Sequence, residues 1–296
     1  MDKYNEAIAR SEVNTDSAVI TSRIAEILDK HLEENRRPEV MRQLFNDIDL
    51  TSLHSTDTQS SVAELTEKVN AFDESHPDLP SVASICVYPN LVPMVRTVLD
   101  VSSVHIAAVA GGFPTSQTFI EVKVAEIALA VAAGADEIDV VLPLADFLGH
   151  DYEEVADQIE EMKHACRQAP LKVILETGAL ATPKHIRDAA ILALYSGADF
   201  LKTSTGKEYP GASLEAAYVI CQTIKEYYAK TGKMVGFKVS GGVTTADEAL
   251  RYYTLVKEVL GQKWVETNEY FRIGASRLAD SILAELTPEG EAPITL

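Results

Sequence analysis

Two lysines in this chain stand where lysines seldom do, at the ends of short apolar runs. Ala198-Asp199-Phe200-Leu201 leads into Lys202 and then into Thr203-Ser204-Thr205-Gly206-Lys207. Met234-Val235-Gly236-Phe237 leads into Lys238 and then into Val239-Ser240-Gly241-Gly242. An ammonium on a buried strand is costly unless it is paired or neutralised. A lone lysine there is most simply a side chain whose head reaches water. Two built on one plan point instead to a single site with two ammonium groups. Repulsion between them lowers a pKa and frees an amine to act as a nucleophile.

Other ionisable side chains interrupt apolar runs in the same manner. Asp139 lies between Ile138 and Val140, and Lys172 and Glu176 sit in the run Leu171–Glu176. Asp49 and Thr51 end an earlier run, and Cys86 ends another. Asp139 and Lys172 read singly as members of a structural ion pair. Asp139, Lys202 and Lys238 together read as a catalytic set.

A second theme is small residues and hydrogen-bond donors just after the later runs: Gly206 and Lys207, then Ser240, Gly241 and Gly242, then Gly274, Ala275, Ser276 and Arg277. Glycines let backbone N–H groups approach an anion, and Lys207 and Arg277 add charge, so a phosphate is the expected ligand. Thr205-Gly206-Lys207 is not a P-loop, because Leu201 stands where its first glycine belongs. The seven histidines are scattered, with no two within four residues, so no local zinc pattern is present. His105 opens an apolar run and reads as structural. No GxSxG elbow and no GxGxxG turn occurs. No metal and no organic cofactor is expected.

These groups need strands to hold them. Eight runs qualify: Leu44–Leu50, Val82–Val87, His105–Ala110, Glu137–Leu142, Leu171–Glu176, Ala198–Lys202, Met234–Val239 and Phe271–Ala275. Most are continuously apolar, as strands covered on both faces are. Helical periodicity fills the gaps, at Val62–Phe72, Leu91–Leu99, Gln117–Ala133, Tyr152–Ala169, Pro183–Tyr195, Leu214–Lys230, Ala246–Leu260 and Arg277–Leu286. Eight strand–helix units predict an α/β fold, a (β/α)8 TIM barrel, with a doubly wound open sheet as the alternative. Residues 1–40 are polar, with a helical stretch at Ser17–Glu34, and read as an N-terminal helical extension to a catalytic barrel at 41–296. Asp73–Leu79 is the best loop candidate, and the tail after Leu286 is expected to be loosely packed.

Composition narrows the partners. The chain has 296 residues with 26 basic and 45 acidic side chains, a net charge of −19. That argues against nucleic acid and anionic membrane surfaces. Cys86, Cys166 and Cys221 form no CxxC pair and read as reduced thiols. The opening residues are unlike a signal peptide, and no apolar run reaches spanning length. The expectation is a cytoplasmic protein acting on a small phosphorylated molecule.

The stretches FLKTSTG (200–206), GFKVSGG (236–242), GADEIDVV (134–141), LKVILETG (171–178), SICVYP (84–89) and DLTSL (49–53) together resemble the deoxyribose-phosphate aldolase family. The resemblance runs from about Asp49 to Arg277. It implies a class I aldolase on a (β/α)8 barrel that reversibly cleaves 2-deoxy-D-ribose 5-phosphate to acetaldehyde and D-glyceraldehyde 3-phosphate, in deoxyribonucleotide catabolism. Lys202 then matches the Schiff-base lysine, and Lys238 the second lysine that holds down the pKa of the first. Asp139 matches the carboxylate that moves protons with a water. Lys172, Asp49, Cys86 and Thr205 fall at supporting positions. Gly206, Lys207, Gly241, Gly242 and Ser276 fall at phosphate-binding positions. The chain departs from the pattern at Arg277, where some members have serine, and at Thr244, where arginine is frequent. It also ends without the C-terminal tyrosine that some members use in proton transfer. Family habit implies a homodimer. The rivals are a Schiff-base barrel enzyme that prefers ketone donors and a catalytically silent phosphate-binding barrel.

Overall fold

The apolar runs become strands because both of their faces are covered, one by helices and the other by side chains crossing the barrel bore. The computed structural model describes residues 3–287 and 294–296. Its strands are β1 (Ile48–Thr51), β2 (Ser84–Val87), β3 (His105–Ala110), β4 (Glu137–Val141), β5 (Leu171–Ile174), β6 (Phe200–Lys202), β7 (Gly236–Ser240) and β8 (Phe271–Ala275). Each pairs in parallel with the next, and β1 pairs with both β2 and β8, so the sheet closes on itself. This is the (β/α)8 barrel and not the open sheet.

Side-chain alternation along each strand creates two interiors. One parity, including Ile106, Ile138, Val173, Leu201, Phe237 and Ile273, joins the hydrocarbon layer between strands and helices. The other faces the bore. On β2 and β3 it supplies Cys86, Ala107 and Val109, which pack with Leu53 in a small separate cluster. On β1 and β4 to β8 it supplies charge.

The N-terminal half of the first expected strand is a helix. Pro38–Asn46 is helical, with proline in the first turn, where its missing N–H costs nothing. Val40, Met41, Leu44 and Phe45 make one buried stripe at helical spacing. The run Leu44–Leu50 therefore mixes the end of a helix with β1, and residue 40, the expected end of the extension, falls inside that helix. Two helices precede it. Lys3–Ala9 was not anticipated, and Ser17–His31 starts on Asp16, whose carboxylate accepts from the N–H groups of Ala18 and Val19. The Tyr4 hydroxyl donates to Glu160 at 2.7 Å, and Ser11 donates to Glu226 at 2.7 Å. These bonds tie the extension to the outer helices Tyr152–Ala165 and Leu214–Thr231.

Glu176 was expected to end a strand. β5 stops at Ile174, and Glu176 takes a left-handed conformation, φ 53°, ahead of the short helix Thr177–Leu180. The end of the chain returns to the last helix, Leu278–Leu286: the Ile294 N–H donates to Thr287 Oγ1 at 3.1 Å. The expectation of a loose tail falls mainly on residues 288–293, outside the described residues. The three cysteines are free and buried. Among the described residues no helix is long and apolar enough to cross a membrane.

Candidate active site

Register explains how distant residues meet. Lys202 on β6 lies beside Lys238 on β7, and Asp139 on β4 lies beside Lys172 on β5. All four point into the bore, so Asp139 meets both strand-end lysines across it. Its Oδ2 accepts from Lys202 Nζ at 2.7 Å and from Lys238 Nζ at 2.8 Å, and its Oδ1 accepts from Lys172 Nζ at 2.9 Å. Asp49 on β1 reaches Lys238 Nζ at 2.5 Å. Every one of these side chains is essentially buried.

Arg272 and Glu137, which sequence reasoning did not single out, complete the lattice. The Arg272 guanidinium bridges Asp49 at 2.7 Å and Glu137 at 2.9 Å, spanning the bore from β8 to the opposite β4. Glu137 also meets Lys172 at 2.5 Å and His105 Nδ1 at 2.7 Å. The signal lay in the period of two. Glu137 precedes Asp139 by two residues and so shares its face. Gly236 and Gly274 leave space for this traffic. A Cβ on Gly236 would lie 2.3 Å from the Phe200 ring, and one on Gly274 would lie 3.0 Å from Lys238 Cε.

The lattice holds four cations, Lys172, Lys202, Lys238 and Arg272, against three carboxylates, Asp49, Glu137 and Asp139. All carboxylates come from β1–β4 and all cations from β5–β8. Lys172, Lys238 and Arg272 each touch two carboxylates, whereas Lys202 touches Asp139 alone. The consequence is chemical. Burial lowers the Lys202 pKa, Asp139 opposes that, and the charge on Lys238 lowers it further. Burial pulls Lys238 and Lys172 the same way, but their two carboxylates overcome it and raise both above the usual lysine range. Burial would raise Asp139, yet Lys172, Lys202 and Lys238 hold it well below the usual carboxylate range. The arrangement thus keeps Lys238 charged and Asp139 ionised, and selects Lys202 as the amine that most readily gives up its proton.

Lys202 also opens onto a cavity. About 270 Å3 at the C-terminal ends of the strands is lined by Lys202, Thr205, Gly206, Lys207, Gly241 and Gly242, and also by Ser240, Thr244, Gly274, Ser276 and Arg277. The sequence-predicted catalytic lysine and the expected anion-binding residues therefore share one space, together with both departures, Arg277 and Thr244. Gly241 and Gly242 have φ of 88° and 92°, a conformation that side chains other than glycine's strain to adopt. Thr203 and Ser240 lock the β6 and β7 loops through paired 3.0 Å hydrogen bonds. Thr205 donates its hydroxyl to Glu176 at 2.5 Å, and Lys207 Nζ donates to the Leu53 carbonyl across the mouth. Cys86 is buried, and burial pushes its thiol pKa up. It belongs to the apolar side of the bore and is no nucleophile at rest.

One histidine–carboxylate group with metal-ligand spacing occurs among the described residues, His31 with Glu34 and Glu258. It sits on outer helices, and its two ring nitrogens face different carboxylates, at 2.8 and 3.6 Å. The group links helix Ser17–His31 to helix Ala246–Leu260, away from the bore.

Comparison with known proteins agrees with the barrel fold. The family described as DeoC/LacD family aldolase matches residues 44–259. A mouse protein named deoxyribose-phosphate aldolase is 40% identical over 249 residues, covering 79% of this chain and 77% of its own length. A Caenorhabditis elegans protein that carries that name provisionally is 43% identical over 271 residues, covering 89% of this chain and 88% of its own. In structure, deoxyribose phosphate aldolase from Aeropyrum pernix superposes with a TM-score of 0.66 at 24% identity, over 86% of this chain and 95% of its own, which supports the fold. With a charged bore, a destabilised ammonium at the mouth and these relatives, the chain is an enzyme and belongs to the DeoC/LacD family of aldolases.

Proposed function

We propose that this enzyme reversibly cleaves 2-deoxy-D-ribose 5-phosphate to acetaldehyde and D-glyceraldehyde 3-phosphate through an imine on Lys202. The observation that carries the reading is that Lys202 has one carboxylate partner, a lowered pKa and a place on the mouth cavity. The neutral amine attacks the aldehyde carbon of the substrate, and water leaves to give a protonated imine. The carbon–carbon bond then breaks, and its electron pair moves into the imine to form an enamine. Asp139, with a water, takes the proton from the substrate hydroxyl as glyceraldehyde 3-phosphate departs. The enamine carbon is protonated and hydrolysis frees acetaldehyde and the amine. Lys238 stays charged throughout and favours a neutral Lys202. Asp139 and water carry the proton transfers beside it.

The phosphate binds at Gly206, Lys207, Gly241, Gly242 and Ser276, with Arg277 beside them, and its binding energy orients the reacting carbon. We read the enzyme as cytoplasmic, in keeping with three free thiols. The test is reduction with borohydride in the presence of acetaldehyde, followed by peptide mass mapping. Label is expected on Lys202, and label on another residue overturns the assignment. Preference for dihydroxyacetone or pyruvate over acetaldehyde as donor selects the ketone-using rival.

A further inference from the structure

The bore has a second opening. At the N-terminal ends of the strands a cavity of about 370 Å3 is lined by His105, Glu137, Phe200, Tyr270 and Arg272 among others. His105 is the first residue of β3 and Glu137 the first of β4. From here an unbroken line of polar contacts crosses the barrel. His105 Nδ1–H donates to Glu137 Oε1 at 2.7 Å, and Glu137 Oε2 meets Lys172 Nζ at 2.5 Å. Lys172 donates to Asp139 Oδ1 at 2.9 Å, and Asp139 Oδ2 accepts from Lys202 at 2.7 Å. Of these linked side chains, His105 alone is open to water, with 51% of its surface exposed, while the others are at most 4% exposed.

We propose that His105 is a positioning residue for the aldol reaction: its charge, passed through Glu137 and Lys172, sets how firmly Asp139 holds Lys202. The inference rests on the reading of Lys202 as the reacting amine. The sign follows from the line of contacts. A charged imidazolium satisfies Glu137 and weakens its pull on Lys172. Lys172 then turns its charge more fully to Asp139, Asp139 holds Lys202 less firmly, and the neutral amine is favoured. The added positive charge acts in the same direction over distance. When His105 is neutral, Glu137 pulls Lys172 back and Lys202 keeps its proton longer.

The groups facing the ring come from several elements. Glu137 on β4 is the hydrogen-bond partner, Asp136 lies just before β4, and Arg272 comes from β8. Lys163, Asp199, Glu269 and Tyr270 line the same cavity. The bond to Glu137 raises the imidazole pKa above the ordinary histidine value, burial and Arg272 oppose that, and Asp136 adds to it. At a given pH more of the ring is therefore in the charged form than in a free histidine.

The experiment compares wild type with His105→Asn, which is neutral at every pH, and His105→Arg, which is charged at every pH. Two quantities are read from about pH 6 to about pH 9: kcat/KM for cleavage, and the rate of borohydride-trapped labelling of Lys202 by acetaldehyde. We expect the Arg variant to exceed the Asn variant roughly threefold, the scale of coupling within one polar network. Wild type should follow the Arg variant at low pH and the Asn variant at high pH. Profiles that superimpose, or run parallel with the wild-type inflection kept in His105→Asn, overturn the proposal while leaving the imine intact. Absence of label on Lys202 in all three proteins defeats the imine reading and this inference with it. Should His105→Arg fail to fold, loss of the inflection in His105→Asn decides alone.

Discussion

On β7, Phe237 and Val239 face the helices while Lys238 between them faces the bore. The same alternation recurs on β4, where Ile138 and Val140 face out and Glu137 and Asp139 face in. Two interiors one residue apart are thus built on opposite principles. The outer layer gains stability from hydrocarbon removed from water, without regard to direction. The bore gains little net stability, because desolvating its charges offsets most of their attraction. Its worth is that each charge has fixed partners, so a single lysine is left under-compensated. The outer layer holds the fold, and the bore tunes an amine.

Substitutions that hit one interior and spare the other test that division. The largest effect is expected from Asp139→Asn, which leaves three ammonium groups around a neutral amide. Stability should fall by about 3–5 kcal/mol, as for a buried pair deprived of one partner, and turnover by roughly a thousandfold. Urea unfolding and steady-state cleavage assays read the two. A variant as stable as wild type would mean the bore charges are not interdependent. Next is Leu192→Ala, in the outer layer on helix Pro183–Tyr195. It should cost about 3 kcal/mol by the cavity it leaves, with kcat/KM unchanged well below the melting temperature. A large loss of kcat/KM would show that the outer layer also sets the chemistry. The smallest effect is expected from Gly274→Ala, whose new methyl would crowd Lys238 Cε and Ser240 Cβ at 3.0 Å. About 1 kcal/mol of strain and a drop in kcat of tenfold or less should follow, with KM for substrate little changed.

The upper half of the bore was legible in the sequence because charge on an apolar strand is conspicuous. Lys238 and Asp139 each sit between apolar neighbours and Lys202 closes an apolar run, and the fold brings the two lysines to 2.7–2.8 Å from Asp139. The barrel was legible for the same reason, as eight covered strands read as eight apolar runs. The lower half was not. Glu137 and His105 each stand at the first position of a strand, where a polar residue looks like a turn facing solvent. Arg272 follows Phe271 near a strand start and looks the same. The period of two puts Glu137 on the face of Asp139, but which cations it meets across the bore is set by register and closure, which sequence does not print. The helix Pro38–Asn46 was hidden by a different ambiguity, since the run Leu44–Leu50 contains both a helical stripe and a strand.

The segregation of charge between the two halves of the barrel bears on how the chain is made. Translation delivers β1–β4 first, and with them three carboxylates whose lysine and arginine partners are still to come. Sealing them away from water at that stage would be unfavourable, so the early half keeps its acidic face hydrated until the lysines and the arginine emerge. The ribosome must therefore release most of the C-terminal half before the cylinder can dehydrate and shut.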